Sequence, residues 1–196
     1  MHLAFDIFQG IGIAAAVGVR PFLPSLVVGA LAAGNVEIHF NHTSWSFLQS
    51  APFLLVMAVA AIALALLERR LGARAVSGGS VAGGLAGVGA VLGALLFAGS
   101  LARGHYAAWP GLIAGVVCAA VAAAAVVPLL ARVRTGGDQS VTATLPIYAE
   151  AFAIVLAALS VVAPPVGVIG LALLVWLLIA GRRREGQKYA GLRILR

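Results

Sequence analysis

The chain has 196 residues, 62% of them hydrophobic and 10% charged, with a mean hydropathy of +1.08. Water-soluble domains carry about 25% charged residues, so an ordinary soluble fold is excluded. Thirteen Lys and Arg stand against six Asp and Glu, but twelve of the thirteen cations sit at the ends of apolar runs or in the tail, the places of topology signals and lipid headgroup contacts, so no basic nucleic-acid face exists.

Six apolar runs follow in chain order: Phe8 to Gly34, Ser50 to Leu67, Ser80 to Ala102, Pro110 to Ala131, Thr142 to Ala163 and Pro165 to Gly181. Six spans of ~20 residues use roughly 120 residues, which leaves no room for a separate soluble catalytic domain. The expected fold is an all-α polytopic membrane helix bundle of about six transmembrane helices, with the first broken or kinked near Arg20-Pro21. Residues 1–181 form one transmembrane domain, and 182–196 a basic cytoplasmic tail lying on the anionic inner leaflet.

Met1 to Gln9 holds Asp6 and no Lys or Arg, which disfavours a cleaved signal peptide and predicts that the first run is retained. That run reads Gly10-Ile-Gly-Ile-Ala-Ala-Ala-Val-Gly-Val-Arg-Pro-Phe-Leu-Pro-Ser25. If it begins at the inner surface, Arg20 falls near the bilayer centre, about 18 Å along the helix, where a cation costs at least ~2.5 kcal/mol and needs a partner or water. Pro21 and Pro24 lack the N–H groups that would bond the carbonyls of Val17 and Arg20, and Gly18 eases a break. A half-helix starting near Phe22 would aim its positive dipole end into the membrane, an anion site.

The second run ends in Arg69, Arg70 and Arg74. The third carries Gly79, Gly83 and Gly87 at spacing four, with Gly89 and Gly93 on a second face, and the fourth offers Gly111 and Gly115; both predict close helix packing, and such faces leave a homo-oligomer open. Cys118 lies inside the fourth run, so no internal disulfide forms. Asp138 or Ser140 is expected to cap the fifth helix. Within that helix, Thr144, Pro146, Tyr148 and Glu150 place a carboxylate at nearly the depth of Arg20; Pro146 marks another break, and Tyr148 or Thr144 would complete the hydrogen bonding of an Arg20–Glu150 pair.

Counting cations on alternate connections gives eleven against one, with Arg103 alone on the far side, so both termini are expected to be cytoplasmic. Two three-helix halves would then run in opposite directions, as in inverted-repeat transporters, although only glycine and alanine richness relates them. Glu37, His39, His42 and His105 lie on the exterior connections, but their spacing matches no metal motif. Phe40, Trp45 and Phe47 surround them as an interfacial aromatic belt would, so neither a metal nor another cofactor is assigned.

The stretch Gly10 to Pro24 and the ending Lys188-Tyr-Ala-Gly-Leu-Arg-Ile-Leu-Arg resemble a bacterial integral-membrane family known only as a domain of unknown function. The resemblance implies a location in the bacterial inner membrane and carries over no activity. The leading functional expectation is a small transporter or permease-like protein with an intramembrane Arg20/Glu150 site, lipids around it and a small anionic substrate. The alternative is a noncatalytic scaffold that binds lipids or partners. An intramembrane enzyme ranks below both, because the serines at depth have no histidine beside them and no Gly-Lys-Ser/Thr phosphate loop occurs.

Overall fold

The computed structural model describes residues 2–71, 79–136 and 139–190. Within them run α1 (His2–Val19), α2 (Phe22–Ala33), a 3-10 turn (Ser46–Gln49), α3 (Ala51–Leu71), α4 (Gly79–Arg103), α5 (Trp109–Gly136), α6 (Gln139–Val162) and α7 (Pro164–Ala190). Helices α3 to α7 each contain a stretch of 19 to 24 residues apolar enough to cross a membrane, and 19 residues at 1.5 Å each reach about 28 Å, close to the hydrocarbon thickness. They correspond to the second to sixth apolar runs. The protein is a polytopic helical bundle.

The first run breaks at Arg20-Pro21, as its prolines predict, into α1 of 18 residues and α2 of 12. The halves do not continue in line. Asp6 Oδ1 lies 3.5 Å from Arg103 Nη2, and Nη1 of the same guanidinium donates to the Glu37 carbonyl. A straight helix from residue 6 to 37 would separate those groups by roughly 46 Å. The chain therefore reverses at Arg20, and α1 and α2 form a re-entrant hairpin with both open ends beside Arg103.

Local chemistry sets this turn. Pro21 cannot extend the hydrogen-bond ladder of α1, which closes with Arg20 N donating to Ala16 O at 3.1 Å. Pro21 then caps α2, and the Ser25 hydroxyl donates to its carbonyl at 2.6 Å. Pro24 is not part of the break: it occupies the first turn of α2, where an N–H has no intrahelical acceptor to lose. Gly18 serves packing, since a Cβ there would lie 2.6 Å from Ala119 Cα of α5.

The hairpin corrects the expected topology. Among the described residues five helices are long and apolar enough to cross a membrane, and the two ends of the described chain lie apart: Asp6 sits beside Arg103, whereas Gly181 and Arg182 sit beside Pro128 and Leu129 at the opposite end of the bundle. The described helices α1 and α7 thus begin and finish at opposite ends of the bundle, because the hairpin enters and leaves at one end. For the same reason, the chain does not divide into two antiparallel three-span halves.

Helix α1 is the centre of the molecule. It packs against α4, α5, α6 and α7, and Ile13 to Val17 are completely buried. Its approach to α7 is backbone to backbone at Gly12, where a Cβ on Gly167 would lie 2.7 Å from the Gly12 Cα. Such contact replaces the hydrophobic drive that lipid tails cannot supply. Helices α4 and α5 meet the same way through Gly93, Gly111 and Gly115, but a Cβ added to Gly83 or Gly87 would have nothing within 4 Å. The Gly83–Gly87 face is therefore outward, and only the Gly89–Gly93 face packs.

Helix α3 is peripheral, packing on α2 and the 3-10 turn and leaving Leu55, Val59 and Ile62 largely exposed. The 34–50 segment folds over the mouth of the hairpin, with Ile38, Phe40 and Leu48 fully buried. Phe40 is a core residue pressed against Gly99, not a member of an interfacial belt. Helix α6 runs unbroken through Pro146, so that residue is no break. Ser140 lies within α6 rather than capping it, and Asp138 falls outside the described residues. Helix α7 continues through Ala190 past the expected start of the tail, while 191–196 also fall outside them.

Candidate functional site

The hairpin tip presents Arg20 to two helices. Its Nη1 donates to Glu68 Oε1 of α3 at 2.7 Å, and its Nε lies 3.5 Å from Glu150 Oε2 of α6. The side chains are 8%, 16% and 24% exposed respectively, a gradient that runs outward from the guanidinium to the two carboxylates. Both carboxylates form their ion pair with the same guanidinium. The sum of formal charges is one negative.

The cluster lies toward one end of the apolar stretches, not at their midpoint. Glu68 is two residues from the end of the apolar stretch Ala51–Arg70 and Glu150 six from the start of Thr144–Val162, or about 3 and 9 Å inside that boundary. Arg20 is displaced from the expected centre because α1 enters from the Arg103 side and reaches almost the full bundle length before turning. Its burial comes from the packed helices, which leave the side chain 8% exposed.

Two cavities flank the cluster. One of about 60 Å³ is lined by Gly18, Arg20, Pro21 and Glu68 together with α4 and α5 side chains. The other, about 180 Å³, opens between α3 and α6 and is lined by both carboxylates with Phe22, Leu64, Pro146 and Ile147 among its apolar walls. Glu68 contributes to both.

Of the residues singled out from the sequence, Arg20 and Glu150 come together. Tyr148 does not join them: it is 70% exposed on the outer face of α6, beside Ile147 at 67%. Thr144 is also exposed, and the side chains that Arg20 engages are Glu68 and Glu150 instead. Glu68 escapes the sequence reading because its neighbours Arg69 and Arg70 look like the polar end of a span. The signal that could have found it is an acidic residue preceding those arginines at the very end of the apolar run, on a chain with only six acidic residues.

The opposite end holds a second ionic contact. Arg103 pairs with Asp6, whose side chain is 4% exposed, and also reaches the Glu37 carbonyl. Gln9, one turn further into α1, donates from Nε2 to the Val161 carbonyl at 3.1 Å. His39, His42 and His105 are exposed, and no group of three metal-ligating side chains occurs among the described residues.

Fold and site together define a multi-pass helical membrane protein with a re-entrant hairpin and an ionic cluster at its tip. No family model, curated protein or solved structure matches the chain.

Proposed function

We propose that this protein is a small transporter or permease-like protein whose working site is the Arg20–Glu68–Glu150 cluster. The observation that carries the reading is a single buried guanidinium shared by carboxylates from two helices, between two cavities. A surplus carboxylate in a low-dielectric setting calls for a proton or a cation, and such groups inside membranes mark substrate and proton routes. Glu68 reverses the sign of the anionic substrate expected from Arg20 alone, since the positive dipole end of α2 now faces two negative groups.

The arginine-rich end of the bundle is cytoplasmic in this reading, in a bacterial inner membrane, since the connections and tail on that side of the sequence carry eleven cations against Arg103 alone on the other. The C-terminus is then inside and the N-terminus outside. The likeness of Gly10 to Pro24 to a bacterial membrane family of unknown function supports the same location.

The test is charge movement in proteoliposomes on a solid-supported membrane after steps of pH and of organic-cation concentration. Wild type should give transients that disappear in Glu150→Gln, with the variant still monodisperse in detergent. Traces equal to those of protein-free vesicles under both steps would overturn the reading.

A noncatalytic scaffold is the second reading, and the outward Gly83–Gly87 face of α4 favours it, because nothing among the described residues covers it. Co-purification of one defined protein with wild type, lost in Gly83→Leu, would support that alternative.

A further inference from the structure

The cavity between α3 and α6 has a lining that selects a ligand class. Glu68 and Glu150 both line it, and its remaining walls are Phe22, Leu23, Ala61, Leu64, Ala65, Pro146 and Ile147, all apolar. Arg20 is not among them; it lines the smaller cavity on the α4 and α5 side. Negative charge therefore faces the larger space, and the guanidinium stands behind it.

From this lining we infer that the α3–α6 cavity binds a small organic cation, an ammonium group carried on an apolar body. The inference rests on the transporter reading for its purpose but not for its chemistry. Among the described residues the two carboxylates share one guanidinium, one formal negative charge more than it balances, and an ammonium placed between Glu68 and Glu150 offsets it. Charge complementarity thus fixes the head of the ligand. The walls fix the rest: an inorganic cation wants a shell of oxygen ligands, and this lining offers two carboxylates and no hydroxyl, amide or histidine side chain. An apolar body is instead received by Phe22, Leu64 and Ile147.

The cavity of about 180 Å³ has room for several waters, since one needs only about 10–15 Å³ of such space, and so for a single ring or a short alkyl chain. The route is lateral. Helix α3 packs on α2 and the 3-10 turn, and across the cavity from it Ile147 is 67% exposed on α6, so the cavity opens at the outer surface of the bundle. An amphipathic cation partitioning into the bilayer near the arginine-rich boundary would meet it there.

The experiment uses wild-type protein in nanodiscs of zwitterionic lipid, titrated calorimetrically with benzylammonium, benzyl alcohol and benzoate, with empty nanodiscs subtracted. Benzylammonium should bind with saturation, and the other two should bind at least ten-fold more weakly. Glu150→Gln and Glu68→Gln should each weaken benzylammonium at least ten-fold. Because removing a carboxylate can also disturb the fold, Ile147→Trp is the second kind of variant: it fills the cavity from an exposed position without changing charge, and should also weaken binding. Tyr148→Phe, outside the lining, should bind as wild type. Absence of saturable benzylammonium binding, tighter binding of benzoate, or affinity unmoved by all three lining variants would overturn the inference. Flux of benzylammonium into proteoliposomes separates it from the transporter reading: binding without flux removes transport and leaves the site, whereas cation-step transients without benzylammonium binding do the reverse.

Discussion

The re-entrant hairpin carries an ionic contact at each end, and the two are built differently. At its open end, Arg103 meets Asp6 and a backbone carbonyl of the 34–50 segment. There an ion pair joins one guanidinium to one carboxylate, and Ile38, Phe40 and Leu48 are fully buried in the segment over it. At the tip, Arg20 faces two carboxylates, one of them on the peripheral helix α3, and cavities lie on either side. Balanced charge in a packed setting fastens the hairpin to the bundle, while surplus charge beside empty space leaves an interaction for a ligand or proton to complete. The contrast teaches that burial of an ion pair alone says little about its use; its stoichiometry and the adjoining volume say more.

The largest effect that would break this contrast is at Arg20. Arg20→Ala leaves Glu68 and Glu150 facing each other across the tip, and removal of one member of a buried ionic group costs about 3–5 kcal/mol. A marked drop in melting temperature in detergent is expected. The double variant Arg20→Ala/Glu68→Gln should recover part of it, because it removes the like-charge repulsion. No recovery would mean that the guanidinium acts through packing and not through charge.

Next comes Arg103→Ala, expected to cost about 1–3 kcal/mol, as Asp6 loses a charged partner and the Glu37 carbonyl a donor. Its signature should be stability alone: melting temperature falls, while charge movement per folded protein stays at the wild-type level. Reduced charge movement at unchanged stability would erase the distinction between the two ends. Glu150→Gln should show the converse, with stability within about 1 kcal/mol of wild type because the amide keeps an acceptor for Arg20 and the surplus charge is gone. Its transients should be lost.

The sequence carries some of this contrast and conceals the rest. Apolar run lengths locate α3 to α7, and Pro21 locates the break, because both depend on local chemistry. The reversal after the break does not. It is fixed by Asp6 and Glu37 converging on Arg103, contacts that span up to 97 residues by the numbering of Asp6 and Arg103. Cation counting could not detect it either, since Met1 to Gln9 carries no Lys or Arg to report its side. Arg20 and Glu150 are legible as charges within apolar runs, whereas Glu68 is masked by Arg69 and Arg70. Tyr148 is misassigned to the pair because proximity in sequence to Glu150 does not give the same face: two residues along an α-helix is about 200° of rotation.

The smallest expected effect is also the sharpest check on packing. Glycines at spacing four read alike in the sequence whether they face a helix or lipid, and α4 carries both kinds. A Cβ on Gly93 would lie 3.0 Å from the Ala119 side chain and 3.2 Å from the Gly115 carbonyl, whereas one on Gly83 or Gly87 meets nothing within 4 Å. Gly83→Leu should therefore change stability by no more than about 0.5 kcal/mol, as for surface positions away from special features. Gly115→Leu, whose Cβ would lie 2.6 Å from the Ala94 Cα, should cost at least about 1–3 kcal/mol through overpacking against backbone. Gly83 borders the groove at the tip end of the bundle, so a silent Gly83→Leu beside a damaging Arg20→Ala would trace the sensitivity of that end to charge rather than to added bulk. Equal destabilisation by Gly83→Leu and Gly115→Leu would instead require a second helix, from this chain or another copy, packed on the outward face of α4.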